Sequence, residues 1–401
     1  SVRVCVWGVT LTDTLEKYGA LVLALEHRFY GASINPDGLQ DQNLLFLSSQ
    51  QALSDLASFH WYVTQKYELT PNNTWICFGG SYPGSLSAWF RLKFPHLVFA
   101  AVSSSAPVRA QLDFKGYNQV VAESLSNPVV GGSQKCRAAV AEAFSAVDSL
   151  IHAGQLEKLA GDFRSCKPLN GTADLVDMVS SLADIFMGAV QYNDEGVQGS
   201  SVAGLCKLMT NQSGSPYQKL MVINKMFLDS FGMKCLDSCH EDSLKELRDT
   251  NSTMSGVGVR QWIFQTCTEF GYYQTCEDST CIFSRLMSLL PELDTCQEIF
   301  NVSRERVQEA VTFTNEYYGA DHPKASRVLF VNGDIDPWHA LSVLKNQSRS
   351  ELALLINGTS HCANMMSSSP TDPLPLVQAR KRISAQVGEW LELARKTTGE
   401  L

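Results

Sequence analysis

Trp75-Ile76-Cys77-Phe78-Gly79-Gly80-Ser81-Tyr82-Pro83-Gly84 is the stretch whose reading decides the fold of this chain. Four uninterrupted apolar residues read as a short buried strand, and two glycines then turn the chain into Ser81. From 85 to 93 the apolar spacing becomes helical, so the unit is strand, tight turn, helix. A serine forced out on such a turn meets an imidazole base on one side and backbone N–H groups on the other. Glycines flank it because side chains there would collide with the neighbouring strand and helix. Pro83 breaks the last position of the Gly-x-Ser-x-Gly pattern, and the loop alone also reads as a helix start with proline in its first turn.

Upstream, Tyr18-Gly19 introduces the apolar run 20–25, which reads as a buried strand ending in Glu26-His27-Arg28. Apolar positions then recur at helical spacing over 43–67, with Pro71 as the stop. Downstream, 97–102 reads as a second buried strand that runs into Ser103-Ser104-Ser105-Ala106-Pro107. Between about 108 and 325 helical spacing dominates, clearest over 139–150, 175–190 and 220–231, and nine of the twelve cysteines gather there. Strand patterns return at 328–331, followed by Asn332-Gly333-Asp334-Ile335-Asp336-Pro337-Trp338, and at 352–356, followed by Gly358-Thr359-Ser360-His361. An amphipathic helix over 376–396 closes the chain.

Three loops, each after a strand, thus carry Ser81, Asp336 and His361, the chain order of an α/β-hydrolase triad. In that chemistry the histidine takes the serine proton and returns it to the leaving group, while the aspartate fixes the tautomer and stabilises the imidazolium. The expected architecture is a mostly parallel α/β sheet with a helical lid inserted late: 1–107 and 326–401 form the hydrolase part, and 108–325 the lid.

Composition narrows the function. Apolar residues make up 44% and charged residues 18% of the 401, as in a folded globular chain. With 32 Lys and Arg against 41 Asp and Glu, a net charge of −9 and no basic cluster, nucleic acid is excluded as an expected partner. No apolar run approaches the roughly 20 residues that span a bilayer. Twelve cysteines, together with sequons at Asn72, Asn170, Asn211, Asn251, Asn301, Asn346 and Asn357, point to the oxidising secretory route. Cys235, Cys239 and His240 come closest to a metal set, but further ligands would have to come from afar, so no metal or cofactor is expected. Nine cysteines in the lid is an odd count, which leaves one of Cys235 and Cys239 free or unusually paired.

The blocks Glu26-His27-Arg28-Phe29-Tyr30-Gly31, Gly79-Gly80-Ser81-Tyr82, Asn332-Gly333 to Asp336-Pro337-Trp338 and Ser360-His361-Cys362 together resemble the lysosomal Pro-Xaa carboxypeptidase and dipeptidyl-peptidase II family of serine peptidases. The resemblance covers about residue 18 to the C-terminus. It implies an α/β-hydrolase with a disulfide-containing helical lid, acting on peptide substrates in an endosomal or lysosomal compartment. By motif, Ser81 is the nucleophile, His361 the base, Asp336 rather than Asp334 the orienting acid, and the Tyr82 N–H an oxyanion donor. Pro83 stands where the family has Gly or Ala. Glu269, in Gln265-Thr266-Cys267-Thr268-Glu269, either faces the cleft and binds substrate or is buried in an ion pair. The dipeptidyl-peptidase branch carries an acid two positions before that glutamine; here the position is Ile263, so strict removal of dipeptides is not expected. His27, His96 and His339 read as structural, and Trp338 as packing beneath the acid loop. Two other readings stand beside this one: an esterase or lipase using the same triad, and a catalytically impaired peptide-binding homologue.

Two further expectations concern pH and the N-terminus. Imidazole titrates near pH 6.5, so activity at about pH 5.5 requires a His361 pKa that is lowered in the free enzyme. Residues 1–16 do not resemble the family and hold one glycine, Gly8. The segment before Tyr18 is therefore too short for the two or three strands the family places upstream, so the N-terminal strands are expected to be incomplete and the Gly-rich loop that supplies a second oxyanion N–H to be missing, leaving the polypeptide poorly soluble and nearly inactive.

Overall fold

The computed structural model describes residues 3–7, 17–193, 201–251 and 258–398. Eight strands lie in these segments: β1 (Arg3–Trp7), β2 (Leu21–Leu23), β3 (Trp75–Gly80), β4 (Ala100–Ser104), β5 (Gln111–Asp113), β6 (Gly271–Tyr273), β7 (Val328–Gly333) and β8 (Glu351–Ile356). Six of them form one sheet in the order β2-β1-β3-β4-β7-β8, and every pairing is parallel. Parallel neighbours cannot be joined by a tight hairpin, so each connection crosses back over a face of the sheet.

The strand period of two assigns the two faces. Ile76, Phe78, Ala100, Val102, Leu329 and Val331 pack against Leu376, Ala379, Ile383, Val387, Trp390 and Leu391 of the C-terminal helix, Leu374–Thr398. Those helix positions recur at three and four residues, the stripe an amphipathic helix lays on a sheet. Trp75, Cys77, Ala101, Val328 and Phe330 point the other way, into the core shared with the helices Ser49–Lys66 and Tyr82–Lys93 and with the helical block.

Neighbouring strands β4 and β7 pair directly, Ala101 with Val328, so everything between them is one excursion from the sheet. That excursion is helical, with Gln134–His152, Gly171–Gln191 and Pro216–Ser230 matching the three segments of clearest helical spacing, the last up to its C-cap Phe231. Four disulfides staple it: Cys136–Cys206, Cys166–Cys235, Cys267–Cys296 and Cys276–Cys281. Cys239 is the ninth cysteine and remains outside them. Cys235 is engaged in the disulfide with Cys166, and the His240 ring meets Asp177 at 3.3 Å. This lid also holds strands β5 and β6, which pair in parallel and escape the sequence reading because each has three residues. Gly271 permits the pairing: a side chain there would come within 2.6 Å of the Gln111 carbonyl oxygen.

Two strand expectations need correction. The run 20–25 yields only Leu21–Leu23, and it is not fully buried, because β2 is the outermost described strand and Val22 is 49% exposed. The run 97–102 starts its strand at Ala100. The buried Arg91 guanidinium binds the carbonyls of Pro95 and Val98 and holds the preceding residues in a turn. The N-terminal segment, expected to leave the upstream strands incomplete, supplies one among the described residues, β1, which lies between β2 and β3 inside the sheet. Trp7 pairs with Gly79, so β1 ends beside the turn that carries Ser81. Gly8 follows it and falls outside the described residues.

Among the described residues no helix is long and apolar enough to cross a membrane. All seven sequon asparagines are exposed.

Candidate active site

The C-terminal ends of β3, β7 and β8 share one edge of the sheet, with Gly80 opposite Ser104 and Gly333 opposite Ile356. Ser81, Asp336 and His361 all leave from that edge. Ser81 sits at φ 61 and ψ −136, a conformation L-residues rarely hold, and caps the helix Tyr82–Lys93. The glycines make it possible. A side chain on Gly79 would strike the Pro83 carbonyl oxygen at 2.1 Å, and one on Gly84 would lie 2.8 Å from the Ser104 carbonyl oxygen. Close approach is thus needed at Gly84, one position beyond the broken pattern, while Pro83 fits the first helical turn. The Ser81 N–H donates to the Ser104 carbonyl at 2.9 Å. Tyr82 takes the first helical position, where an N–H has no intrahelical acceptor.

Asp336 is fully buried and spends its two oxygens on different tasks: Oδ1 accepts from the Trp338 N–H at 3.0 Å, and Oδ2 meets His361 Nδ1 at 2.9 Å. That bond assigns the proton to Nδ1 and leaves Nε2 as the basic nitrogen. Asp334 instead accepts from the Gly358 N–H at 2.7 Å and braces the loop ahead of the histidine. Of the two acids, the one bonded to the imidazole is Asp336.

The serine and histidine loops are packed against each other. A side chain on Gly80 would meet Cys362 Sγ at 2.7 Å, and the Cys362 N–H donates to Ser105 Oγ at 2.8 Å. Among the described residues, however, the Ser81 hydroxyl makes no hydrogen bond to His361. In unliganded hydrolases this bond commonly tightens only when substrate arrives. Burial pulls the His361 pKa down, but the Asp336 carboxylate and the neighbouring Cys362 thiol outweigh it, and the imidazole is held well above its ordinary value. This reverses the expected direction: the charge beside the ring wins over desolvation.

The helical excursion reaches the histidine through groups with no sequence signal. At the end of the helix Gly171–Gln191, the Gln191 carbonyl accepts the His361 N–H at 2.9 Å. Its side-chain oxygen accepts from the Tyr117 hydroxyl at 2.6 Å and from Trp338 Nε1 at 3.0 Å. Trp338 thus bonds Gln191, and its ring lies against Phe114, Tyr117 and Tyr272.

Glu269 is buried, and its partners are neutral groups rather than a cation. One oxygen accepts from both the Ser49 N–H and the Ser49 hydroxyl, and the other from Gln265 Nε2. Both carboxylate oxygens are turned to the protein instead of a substrate. His27 bonds the Tyr82 hydroxyl at 2.9 Å, and burial lowers its pKa to about 4. Sequence reasoning missed Ser104 and Ser105, whose signal was their place at the end of a strand beside the nucleophile, and missed Gln191, Tyr117, Ser49 and Gln265, whose roles rest on distant contacts.

Residues 5–383 match the serine carboxypeptidase S28 family, so the likeness begins well before residue 18. The chain is 45% identical over 387 residues to the thymus-specific serine protease of Homo sapiens, covering 95% of this chain and 75% of that protein. It is 26% identical over 394 residues to the lysosomal Pro-X carboxypeptidase of Homo sapiens, covering 94% and 76%. Among solved structures it is similar to a proline iminopeptidase of Mycobacterium smegmatis at 12% identity and a TM-score of 0.39, over 99% of this chain and 91% of that one.

Proposed function

The chain belongs to the S28 family of serine peptidases, and on that premise we propose that it hydrolyses peptide bonds through an acyl-enzyme on Ser81, with His361 as base and Asp336 as its orienting acid. The observation that carries this reading is the buried Asp336–His361 bond at 2.9 Å, packed beside a serine in a strained turn. Ser81 Oγ attacks the carbonyl carbon while its proton passes to His361 Nε2. The carbonyl oxygen gains the electron pair and takes the Tyr82 N–H. Collapse expels the amine, which receives the proton from Nε2. Water then repeats the sequence on the acyl ester and restores Ser81. Asp336 stays ionised throughout and stabilises the imidazolium.

Disulfides and exposed sequons support a protein of the secretory route. An endosomal or lysosomal destination is supported by the relative named for its lysosomal activity. The raised His361 favours work at the less acidic end of that route. In domain terms we read 108–325 as a lid over a hydrolase built from 1–107 and 326–401.

The test is a triad cycle. Ser81→Ala and His361→Ala should each lower turnover by about 10⁴ or more, and the pair should cost little beyond either alone. A fluorophosphonate should label the parent protein at Ser81 only. Near-parental hydrolysis by Ser81→Ala, or losses that multiply, would end this reading.

A further inference from the structure

The carboxylate of Glu269 reaches the catalytic turn through two side chains. Gln265, fully buried, directs its amide nitrogen both to Glu269 Oε2 at 2.9 Å and to the Tyr82 hydroxyl at 3.1 Å, while its oxygen accepts from the Tyr30 hydroxyl at 2.7 Å. The Tyr82 hydroxyl also meets His27 Nε2 at 2.9 Å, and His27 Nδ1 meets the Arg28 carbonyl at 2.7 Å.

These contacts have only one consistent direction when Glu269 is ionised. A carboxylate is an acceptor only, so the amide that faces it must present nitrogen. Both amide hydrogens are then spent, one on Glu269 and one on the tyrosine oxygen. The tyrosine must pass its own hydrogen to His27 Nε2, which leaves His27 neutral with its proton on Nδ1, where the Arg28 carbonyl accepts it. The low His27 pKa agrees, since a neutral ring is what burial favours there. Ser49 completes the anchor, giving its N–H and hydroxyl to Glu269 and meeting the Tyr318 hydroxyl at 2.9 Å. The Tyr82 ring is packed beside His27, Trp262 and Phe270, at centroid distances of 5.4, 5.9 and 5.4 Å. A side chain held at its tip and along its faces fixes its own backbone, and the Tyr82 N–H follows Ser81 directly.

We propose that Glu269 is a positioning residue for the reaction, acting through Gln265 and the Tyr82 hydroxyl to aim the Tyr82 N–H at the developing oxyanion. This rests on the reading of that N–H as an oxyanion donor. Such a strut acts only where charge develops, so its loss belongs in kcat and not in substrate affinity. It also holds Ser81 in its strained turn, which persists only where the surroundings over-determine it.

Two near-isosteric variants test the proposal. Tyr82→Phe keeps the ring and the N–H and deletes the tip contact. Glu269→Gln keeps the volume but presents a donor to Gln265, which forces that amide to turn over and reverses the polarity of the chain. On a peptidyl p-nitroanilide cleaved by the parent protein, each should lower kcat by roughly 10- to 100-fold with KM within about threefold. The double variant should lose no more than the worse single one. Both variants should still be labelled to completion by a fluorophosphonate, though more slowly, since Ser81 and His361 are untouched. Parental kcat in folded Tyr82→Phe overturns the proposal, as do losses confined to KM or losses that multiply in the double variant. Absent labelling of the parent protein would instead overturn the triad reading.

Discussion

At the C-terminal edge of the sheet the site residues are fixed by their own backbone, whereas in the helical block the groups that bear on the site are fixed by partners far along the chain. Ser81 is set by its own dihedral angles and by glycines two residues before it and three after it, and Asp336 caps a backbone N–H two residues on. Glu269 is set by Ser49, 220 residues away, and Gln265 meets Tyr82 across 183 residues. Gln191 joins Tyr117 across 74 and Trp338 across 147. Local fixing survives a change elsewhere in the molecule; distant fixing does not. The chemistry should therefore fail in two distinguishable ways: abruptly at the sheet edge, and by loosening in the helical block.

Among the effects that tell the two regions apart, the largest comes from cutting a staple. Cys267–Cys296 closes 29 residues of chain and ties the turn bearing Glu269 to the helix Leu289–Phe300, whereas Cys276–Cys281 closes only five. By loop entropy, replacing the first pair with serines should cost about 3 to 4 kcal/mol of stability and replacing the second about 2. Chemical denaturation of the two variants checks the difference. Under conditions where both remain folded, the Cys267–Cys296 variant should lose turnover while a fluorophosphonate still labels Ser81. Equal turnover in the two variants would mean that the helical block bears on the reaction no more than any surface loop does.

A smaller effect separates the regions by pH. Only the deprotonated His361 can act as base, and Asp336 holds its pKa well above the ordinary value near 6.5. The rate should therefore fall as pH drops through that raised pKa, with kcat/KM at pH 5.5 at least about tenfold below its value at pH 7.5. Stability follows the opposite sign. A folded-state pKa above the unfolded one stabilises fully below about pH 6.5, and that contribution is lost as pH rises through the folded pKa. The pair should be firmest where the enzyme is slowest. An acid limb with its midpoint below pH 6 would show that burial outweighs the Asp336 charge, and that the site is built for a lysosome after all.

The same contrast explains which parts of the molecule were legible. The strand, turn and helix over 75–93 could be read because apolar run, glycines and helical spacing are all local signals. The order of Ser81, Asp336 and His361 then carried the fold. β1 has only a short local signal, the β-branched and aromatic Val4, Val6 and Trp7 before Gly8, and it fits the expectation of incomplete N-terminal strands. The start of β4 was missed because a buried arginine, not propensity, decides it. The odd lid cysteine could be counted, but the pairing of the other eight is set by packing. Glu269 was singled out by its motif, yet nothing within the motif tells whether it faces a ligand or Ser49.

The smallest expected effect is a ratio close to one. An enzyme that removes dipeptides needs a carboxylate for the substrate's free ammonium, and a charge-assisted hydrogen bond of that kind is worth about 1.5 to 3 kcal/mol, or roughly 10- to 150-fold in kcat/KM. Ile263 offers no charge and packs, half-buried, against a cluster that includes Phe29, Leu39 and Phe264. Glu269, the nearest acid in the same motif, spends both oxygens on Ser49 and Gln265. Matched peptides with free and acetylated N-termini should therefore be cleaved with kcat/KM values within about threefold of each other, as read by mass spectrometry of the products. A preference of tenfold or more for the free amine, with dipeptides released, would place a carboxylate in the cleft and show that the helical block recognises substrate as well as bracing the catalytic turn.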